Sequence, residues 1–481
     1  QPQLPRDSGD RRFWALLFAV LLLIKALLLL VDHAPMFYLG DSIAYLLTAK
    51  NGYIPPDRSF LYGWIIKWVA TWTGSLQPLL WTQSLAGACS ALLAGYILRQ
   101  FFGAGRLLAA AAALLCAVEP LQLLLERFVM TEAISLLAFS LFVTAALAYL
   151  QRASLRRLAL MQLAAIFVVA MRVSFLPMLE AATLLAPLLA WRTISPGTQG
   201  RWIDRRRARV GAHLLVSIAL FAGLQYTYKW DYSRLIQTAL PGAGPEYNYD
   251  EGFHILSFVA PIATPQDFPD QAHAAAIFNT PFDLKNPRER DRQRWETGGL
   301  VWNLNQVYGP RSARRLAKAT AIHAVLRDPL GELRLAWFGY ADYWNLEHLA
   351  WGMKSDRGGD RELPDNLLQL LRDDYHLEGA DLPHRVTLTN VYYFHAWGWF
   401  LALLLLPLPM ALLVPLLPRP QRPAAFLLFV FASLQIAVIA ACSIGPTVRF
   451  LHAMTWLGIL TLTIFATRLA NVLRRSRVAK V

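Results

Sequence analysis

The sequence predicts an all-α polytopic membrane protein of about ten transmembrane helices, with an extracytoplasmic α or α/β domain inserted between the seventh and the eighth. Three observations carry this expectation. Of 481 residues, 56% are hydrophobic and the mean hydropathy is +0.36, which no ordinary soluble domain reaches. Apolar runs such as Trp14–Val31 and Ala424–Ala441 are long enough to cross a hydrocarbon core of about 30 Å. The formal charge of +14 is also sorted by side rather than gathered in one patch, which argues for topology and against nucleic-acid binding.

Spans are expected at 13–31, 78–98, 106–118, 131–150, 158–173, 174–191, 210–228, 394–417, 424–441 and 450–467. With the N-terminus inside, every cytoplasmic segment is basic: Arg11 and Arg12; Arg99 and Arg106; Arg152, Arg156 and Arg157; the arginines from Arg192 to Arg209; Arg419 and Arg422; and the tail from Arg468 to Lys480. The segment 229–390 holds 18 Lys and Arg against 22 Asp and Glu, which places it on the opposite side. The chain thus divides into a transmembrane module 1–228, an extracytoplasmic domain 229–390, and C-terminal helices with a basic tail over 391–481. Residues 1–12 are polar and read as a disordered lead. Cys89, Cys116 and Cys442 lie in apolar runs without CxxC or histidine partners and read as packing residues.

The first span is too long for a signal-peptide core and lacks a small-residue cleavage site, so it is retained as a helix. Lys25 within it reads either as tied to a carboxylate such as Glu180 of the sixth span or as a ligand-binding cation, and the pairing is the expected reading. The outer loop 32–77 follows. Ser42–Lys50 and Ser59–Thr73 are amphipathic enough to lie along the interface as short helices, broken by Pro55-Pro56, with Tyr45, Tyr62, Trp64, Trp68 and Trp72 as belt aromatics. Asp41 beside Gly40 sits at a helix start, where the dipole favours an ionised carboxylate. It reads either as a catalytic base or as a helix cap.

Later segments add charge to the same face. VEPLQLLLERFVMTEA brings Glu119, Glu126, Arg127 and Glu132 to the outer surface, with an Arg127–Glu pair as the simplest satisfaction. The fifth span ends outside at Arg172 and the last begins outside at Arg449, both facing the compartment of Asp41. Lys67 and Arg58 are further phosphate candidates, or snorkelling cations. In 229–390, Pro241–Gly252 reads as a loop and Arg311–Trp344 as helix interrupted near Pro329. Asp373-Asp374 and the scattered His254, His273, His323, His348, His376 and His384 lack recognised metal-ligand spacing, so they read as surface charge and packing. No dinucleotide, Walker or GxSxG motif occurs in a credible context.

GDSIAYL, PPDRSFLYG, QSLAGACSALLAGYILRQFFG, ERFVMTEA and MRVSFLPML, in this order between Gly40 and Leu179, resemble the landmarks of GT-C glycosyltransferases. The nearest likeness is to bacterial relatives of the protein O-mannosyltransferases and lipid A aminoarabinose transferases. DPLGELRLAWFGYADYW and IGPTVRFLHAMTWL resemble later segments of that family more loosely. The resemblance implies a polyprenyl-phosphate sugar donor, a protein, lipid or glycan acceptor, and a periplasmic active site in a bacterial inner membrane. By position, Asp41 would act at the acceptor and Arg172 or Arg449 would hold the donor phosphate. Two landmarks differ: the family's Asp-Glu pair is Asp41-Ser42 here, and its Arg-Tyr is Arg449-Phe450. The residues agree with such chemistry, since transfer from a lipid phosphate needs a base and cations on the leaving group. Candidate site residues are therefore Asp41, Arg172, Arg449, Lys67 and Arg58, with Tyr45, Tyr62, Glu126, Arg127 and Glu132 around them. Membrane lipids are expected partners and nucleic acid is not; a divalent metal is left open. A transporter or flippase of lipid-linked sugars is the alternative, and an envelope scaffold a third reading.

Overall fold

A computed structural model describes residues 8–194, 202–357, 362–379, 386–443 and 445–478. Residues 1–7, the basic residues at Arg201 and Lys480, and His384 lie outside them. In chain order the helices are α1 (Ser8–Val31), α2 (Leu39–Asn51), α3 (Phe60–Val69), α4 (Gln77–Phe102), α5 (Arg106–Ala117), α6 (Pro120–Leu125), α7 (Glu132–Gln151), α8 (Leu155–Met171), α9 (Leu176–Leu189) and α10 (Trp202–Leu235). The connecting segment carries α11 (Glu251–Val259), α12 (Gln271–Phe278), α13 (Arg290–Trp295), α14 (Leu300–Arg327), α15 (Pro329–Asp342), α16 (Leu346–Asp356) and α17 (Asp365–Tyr375). The chain closes with α18 (Leu388–His395), α19 (Trp397–Leu404), α20 (Pro407–Leu416), α21 (Arg422–Cys442) and α22 (His452–Val478).

No strand forms among the described residues; an isolated bridge joins Met36 to Phe128. Among these residues, seven helical stretches are long and apolar enough to cross a membrane, and the α19–α20 pair, bent by 58°, counts as an eighth if taken as one span. The protein is thus a polytopic helical membrane protein. Its helices pack closely where small residues line the contact: Ala88, Ala91 and Ala94 of α4 meet Ala112 and Ala113 of α5 in one apolar core with α7 and α22.

The loop after α1 folds as expected into two short helices. Gly52 ends α2 in the left-handed conformation (φ 76°), and the Ser59 hydroxyl accepts the Tyr62 backbone N–H at the start of α3. Gly63 lets α3 press on α2, because a Cβ there would stand 2.3 Å from that of Thr48. Trp68 and Trp72 are exposed, as belt residues should be, but Tyr45 and Tyr62 are buried with their rings edge to face at 4.9 Å. The belt expectation for these two fails because they join a buried apolar cluster with Leu46, Ile66 and Leu79, to which Leu367, Leu370 and Leu371 of α17 also belong.

Helices α11 to α14 have an apolar core of their own, including Phe253, Leu256, Leu300 and Ala317. The domain expected as α or α/β is therefore helical in its described part. The interruption expected near Pro329 is present between α14 and α15, and Gly309 (φ 67°) before Pro310 adds a kink within α14. Helix α16 then lies against the chain entering the last span. Its Gly352 admits the Pro446 carbonyl where any Cβ would collide, at 1.8 Å. This close approach sets Asp356, one turn further on, beside Arg449.

Candidate functional site

Asp41 lies in the first turn of α2, yet it does not cap the helix: α2 starts after Tyr38 without a side-chain cap. Its two oxygens are instead taken by arginines far apart in the chain. Oδ1 accepts Arg58 Nη1 at 2.6 Å and Oδ2 accepts Arg449 Nη1 at 3.1 Å. Arg58 is held in place by a fork onto its neighbour, donating from Nε to Asp57 Oδ1 at 2.8 Å and from Nη2 to Oδ2 at 2.5 Å. Burial pushes the Asp41 carboxyl up, but Arg58 and Arg449 outweigh it and hold the group below the usual carboxylate range.

Arg449 enters from the short turn before α22. Its guanidinium lies 4.0 Å from the centre of the Tyr38 ring, and its backbone N–H donates to Asp356 Oδ2 at 3.1 Å. Nothing in the local sequence marks Asp356 as a site residue. Burial pushes its carboxyl up to about 7 despite the pull of Arg449. Arg172, at the end of α8, pairs with Glu132 Oε1 at 2.6 Å and donates from Nε to Ser174 Oγ at 3.1 Å. Both arginine carbons lie 5.4 Å from the Phe450 ring centre, so this ring links Arg172 to Arg449.

A cavity of about 800 Å³ lies between the apolar bundle and the α11–α16 layer; Asp41, Arg58, Arg449 and Asp356 line it, whereas Arg172 and Glu132 stand outside its wall, behind Phe450. Tyr38, Asp41, Asp57 and Arg58 line the cavity from the α2–α3 segment, with Arg449 and Phe450 beside them. His254, Arg294, Asp342 and His348 line it from the α11–α16 layer, and Asp356 of α16 reaches Arg449. Burial and nearby Arg294 push the His254 imidazole down to about 3, so it is neutral at physiological pH. His348 Nδ1 and Asp342 Oδ1 are 2.6 Å apart. Cys442, expected as a packing residue, also lines the cavity.

Other candidates stand elsewhere. Lys67 is exposed on α3 and contributes nothing to the cavity wall. Tyr45 and Tyr62 lie behind it, the Tyr62 hydroxyl donating to Gln83 Oε1 at 2.7 Å. Glu126 is drawn inward to Lys25, whose Nζ is 2.6 Å from Oε1. Glu126 thus takes the place expected for Glu180 as the lysine's partner, since Glu180 is exposed on α9. Arg127 does not pair with a glutamate; Nε donates to the Asp32 carbonyl at 2.6 Å and Nη1 to Ser84 Oγ at 3.3 Å, tying α6 to the end of α1.

The residues missed in sequence carry weak local signals. Arg294 sits in RERDRQRWE, a charge run that reads as a solvated face, and Asp356 closes an ordinary amphipathic helix. Among the described residues no group of three or more His, Cys, Asp and Glu side chains is placed to hold a metal ion. No family model, curated protein or solved structure matches this chain.

Proposed function

We propose that the chain is an integral membrane glycosyltransferase that moves a sugar from a polyprenyl-phosphate donor to a hydroxyl of a protein, lipid or glycan. The observation that carries this reading is the Asp41 carboxylate held between Arg58 and Arg449 on the wall of a cavity set against the apolar bundle. Lipid-phosphate chemistry needs this combination. Arg449, with Arg172 linked to it through Phe450, supplies cations for the leaving phosphate, and their positions are fixed before substrate arrives. Once the phosphate shares the arginine charge, Asp41 is released to take the proton of the acceptor hydroxyl. The hydroxyl oxygen then bonds to the anomeric carbon as the carbon–oxygen bond to phosphate breaks, and the lipid phosphate departs as an anion needing no acid. Transfer of radiolabelled sugar from a polyprenyl-phosphate donor by the purified protein is the direct test.

Two further results are expected. Arg449→Ala and Arg172→Ala each lose a charge-assisted contact worth about 1.5–3 kcal/mol, so polyprenyl-phosphate affinity should fall roughly tenfold to a hundredfold, with partial recovery in the lysine variants. Unchanged affinity in both alanine variants would return these arginines to structural pairing. The pH profile separates the two carboxylates. With Asp41 as base, kcat/KM should stay level between pH 5 and 8, because that carboxyl ionises below its usual range. An acid limb centred near 7 would instead assign the base to Asp356.

Ten spans follow if α8, the short apolar α5 and the bent α19–α20 pair are added to the seven long helices. An even number keeps both basic termini in the cytoplasm and sets the cavity and α11–α17 on the periplasmic side of a bacterial inner membrane. A cysteine placed between Pro241 and Gly252, in a background lacking the native three, should react with an impermeant thiol reagent in intact spheroplasts. Reaction only after lysis would reverse the topology. The transporter alternative has one observation in its favour, a polar string inside the bundle from Lys25 through Glu126 and Gln122 to His452. Substrate movement across vesicles without sugar transfer would select it.

A further inference from the structure

The segment 288–295, which forms one wall of the cavity and includes α13, carries four arginines, and three are occupied. Arg288 reaches Asp342 at 3.9 Å, Arg290 donates to the carbonyls of Pro287 and Ser443 at 2.7 and 3.2 Å, and Arg292 pairs with Glu289 and Glu296 at 3.6 and 3.1 Å. Arg294 differs. It is 6% exposed, and among the described residues its Nε and Nη1 have no hydrogen-bond partner and no carboxylate comes within ion-pair distance. Its guanidinium carbon stacks 4.2 Å from the centre of the Trp295 ring.

Two of the three carboxylates that act on Arg294, Asp250 and Asp57, are committed to other arginines, and the third, Asp291, has a partner of its own. Asp250 accepts Arg314 Nε at 2.8 Å and Asp57 accepts the fork of Arg58. Both still favour the charged form of Arg294 at long range, and burial lowers its pKa only to about 10, so it carries a full charge at neutral pH. A buried guanidinium with open donors is costly to keep unless something else fills them. Arg294 belongs to the lining of the cavity, which has room for a partner to its guanidinium.

We infer that Arg294 is a second anion subsite, binding a phosphate-like oxyanion on the α13 wall, apart from the arginines beside Asp41. Two substrates supply such a group, an acidic group on the acceptor or a second phosphate on a diphosphate donor. Assigning the group to either substrate rests on the glycosyltransferase reading; the subsite itself does not. The planar fork of arginine suits two oxygens of one phosphate, and the stacked Trp295 ring keeps the fork from rotating away.

The test uses the full-length protein in detergent and calorimetric titration of inorganic phosphate, polyprenyl monophosphate and polyprenyl diphosphate. Phosphate should bind the wild type and lose roughly tenfold to a hundredfold in affinity in Arg294→Gln, while monophosphate lipid affinity is unchanged. If the anion belongs to the acceptor, phosphate should still bind protein saturated with polyprenyl monophosphate, and the two lipids should bind alike. If it belongs to the donor, the diphosphate should bind about tenfold more tightly than the monophosphate and displace phosphate, and Arg294→Gln should abolish that preference. Thermal stability gives an independent reading, because a structural arginine loses stability on removal whereas an unpartnered one does not. Arg294→Gln should melt at or above the wild-type temperature, and Arg294→Lys should retain part of the phosphate affinity. Unaltered phosphate affinity and lipid preference in Arg294→Gln, or a lowered melting temperature in both variants, would overturn the subsite. Failure of the glycosyltransferase reading would show differently, as absent polyprenyl-phosphate binding with phosphate binding still dependent on Arg294.

Discussion

Asp41→Asn is expected to lower turnover by roughly 10²–10⁴ while polyprenyl-phosphate affinity and folding stay near those of the wild type. The amide retains the shape of the side chain and one oxygen for an arginine, but it cannot take a proton. The ion-pair network tolerates the change because each arginine keeps another anchor. Arg58 remains forked onto Asp57, and Arg449 remains over Tyr38 with its backbone on Asp356. Asp41 is also partly exposed, with a side chain at 27%, so losing half of its pairing should cost no more than about 1 kcal/mol. A well-folded Asp41→Asn protein with full transfer activity would remove Asp41 from the proton step and make Asp356 the next substitution.

The second large effect is on stability. Lys25 and Glu126 are almost wholly buried, at 2% and 0% side-chain exposure, and the lysine lies within the candidate span Asp10–Val31. Removing either partner strands the other charge, so Lys25→Met and Glu126→Gln should each destabilise the protein by about 3–5 kcal/mol. Replacing both should recover most of that loss, since the amide introduced by Glu126→Gln would still meet the Gln122 side chain, which now donates to Glu126 Oε1 at 2.7 Å. The pocket is tight: a Cβ on Gly87 of α4 would stand 1.8 Å from the same oxygen. Thermal denaturation of the three variants in detergent measures this. Single variants within about 1 kcal/mol of the wild type would mean that the pair is neutral in the native protein.

Much of the site was legible because topology forces it. The expected topology put Asp41, Arg58, Arg172 and Arg449 on one side, and the structure does bring Asp41, Arg58 and Arg449 together, with Arg172 across the Phe450 ring. The identity of each partner was not legible. Lys25 meets Glu126 rather than Glu180 because α1 packs on α4 and against the end of α6, and periodicity says only which face of a helix is apolar, not which helix it will face. Arg127 had a glutamate next to it in sequence and chose the Asp32 carbonyl, which the end of α1 leaves without an intrahelical donor.

The sequence by itself determined the class of the protein, a helical bundle in a membrane, since uninterrupted apolar length leaves no other solvent and the backbone must satisfy itself there. It also determined the two short helices after α1, through the Pro55-Pro56 break and the amphipathic runs on either side. Only the tertiary structure decided that Tyr45 and Tyr62 are core residues of a cluster shared with α17, that Asp356 closes on Arg449 through the Gly352 contact, and that one arginine of an outwardly ordinary charge run is buried with unpartnered donors. Those outcomes depend on contacts between residues far apart in the chain, where local pattern carries no information and packing against a specific neighbour sets both burial and charge.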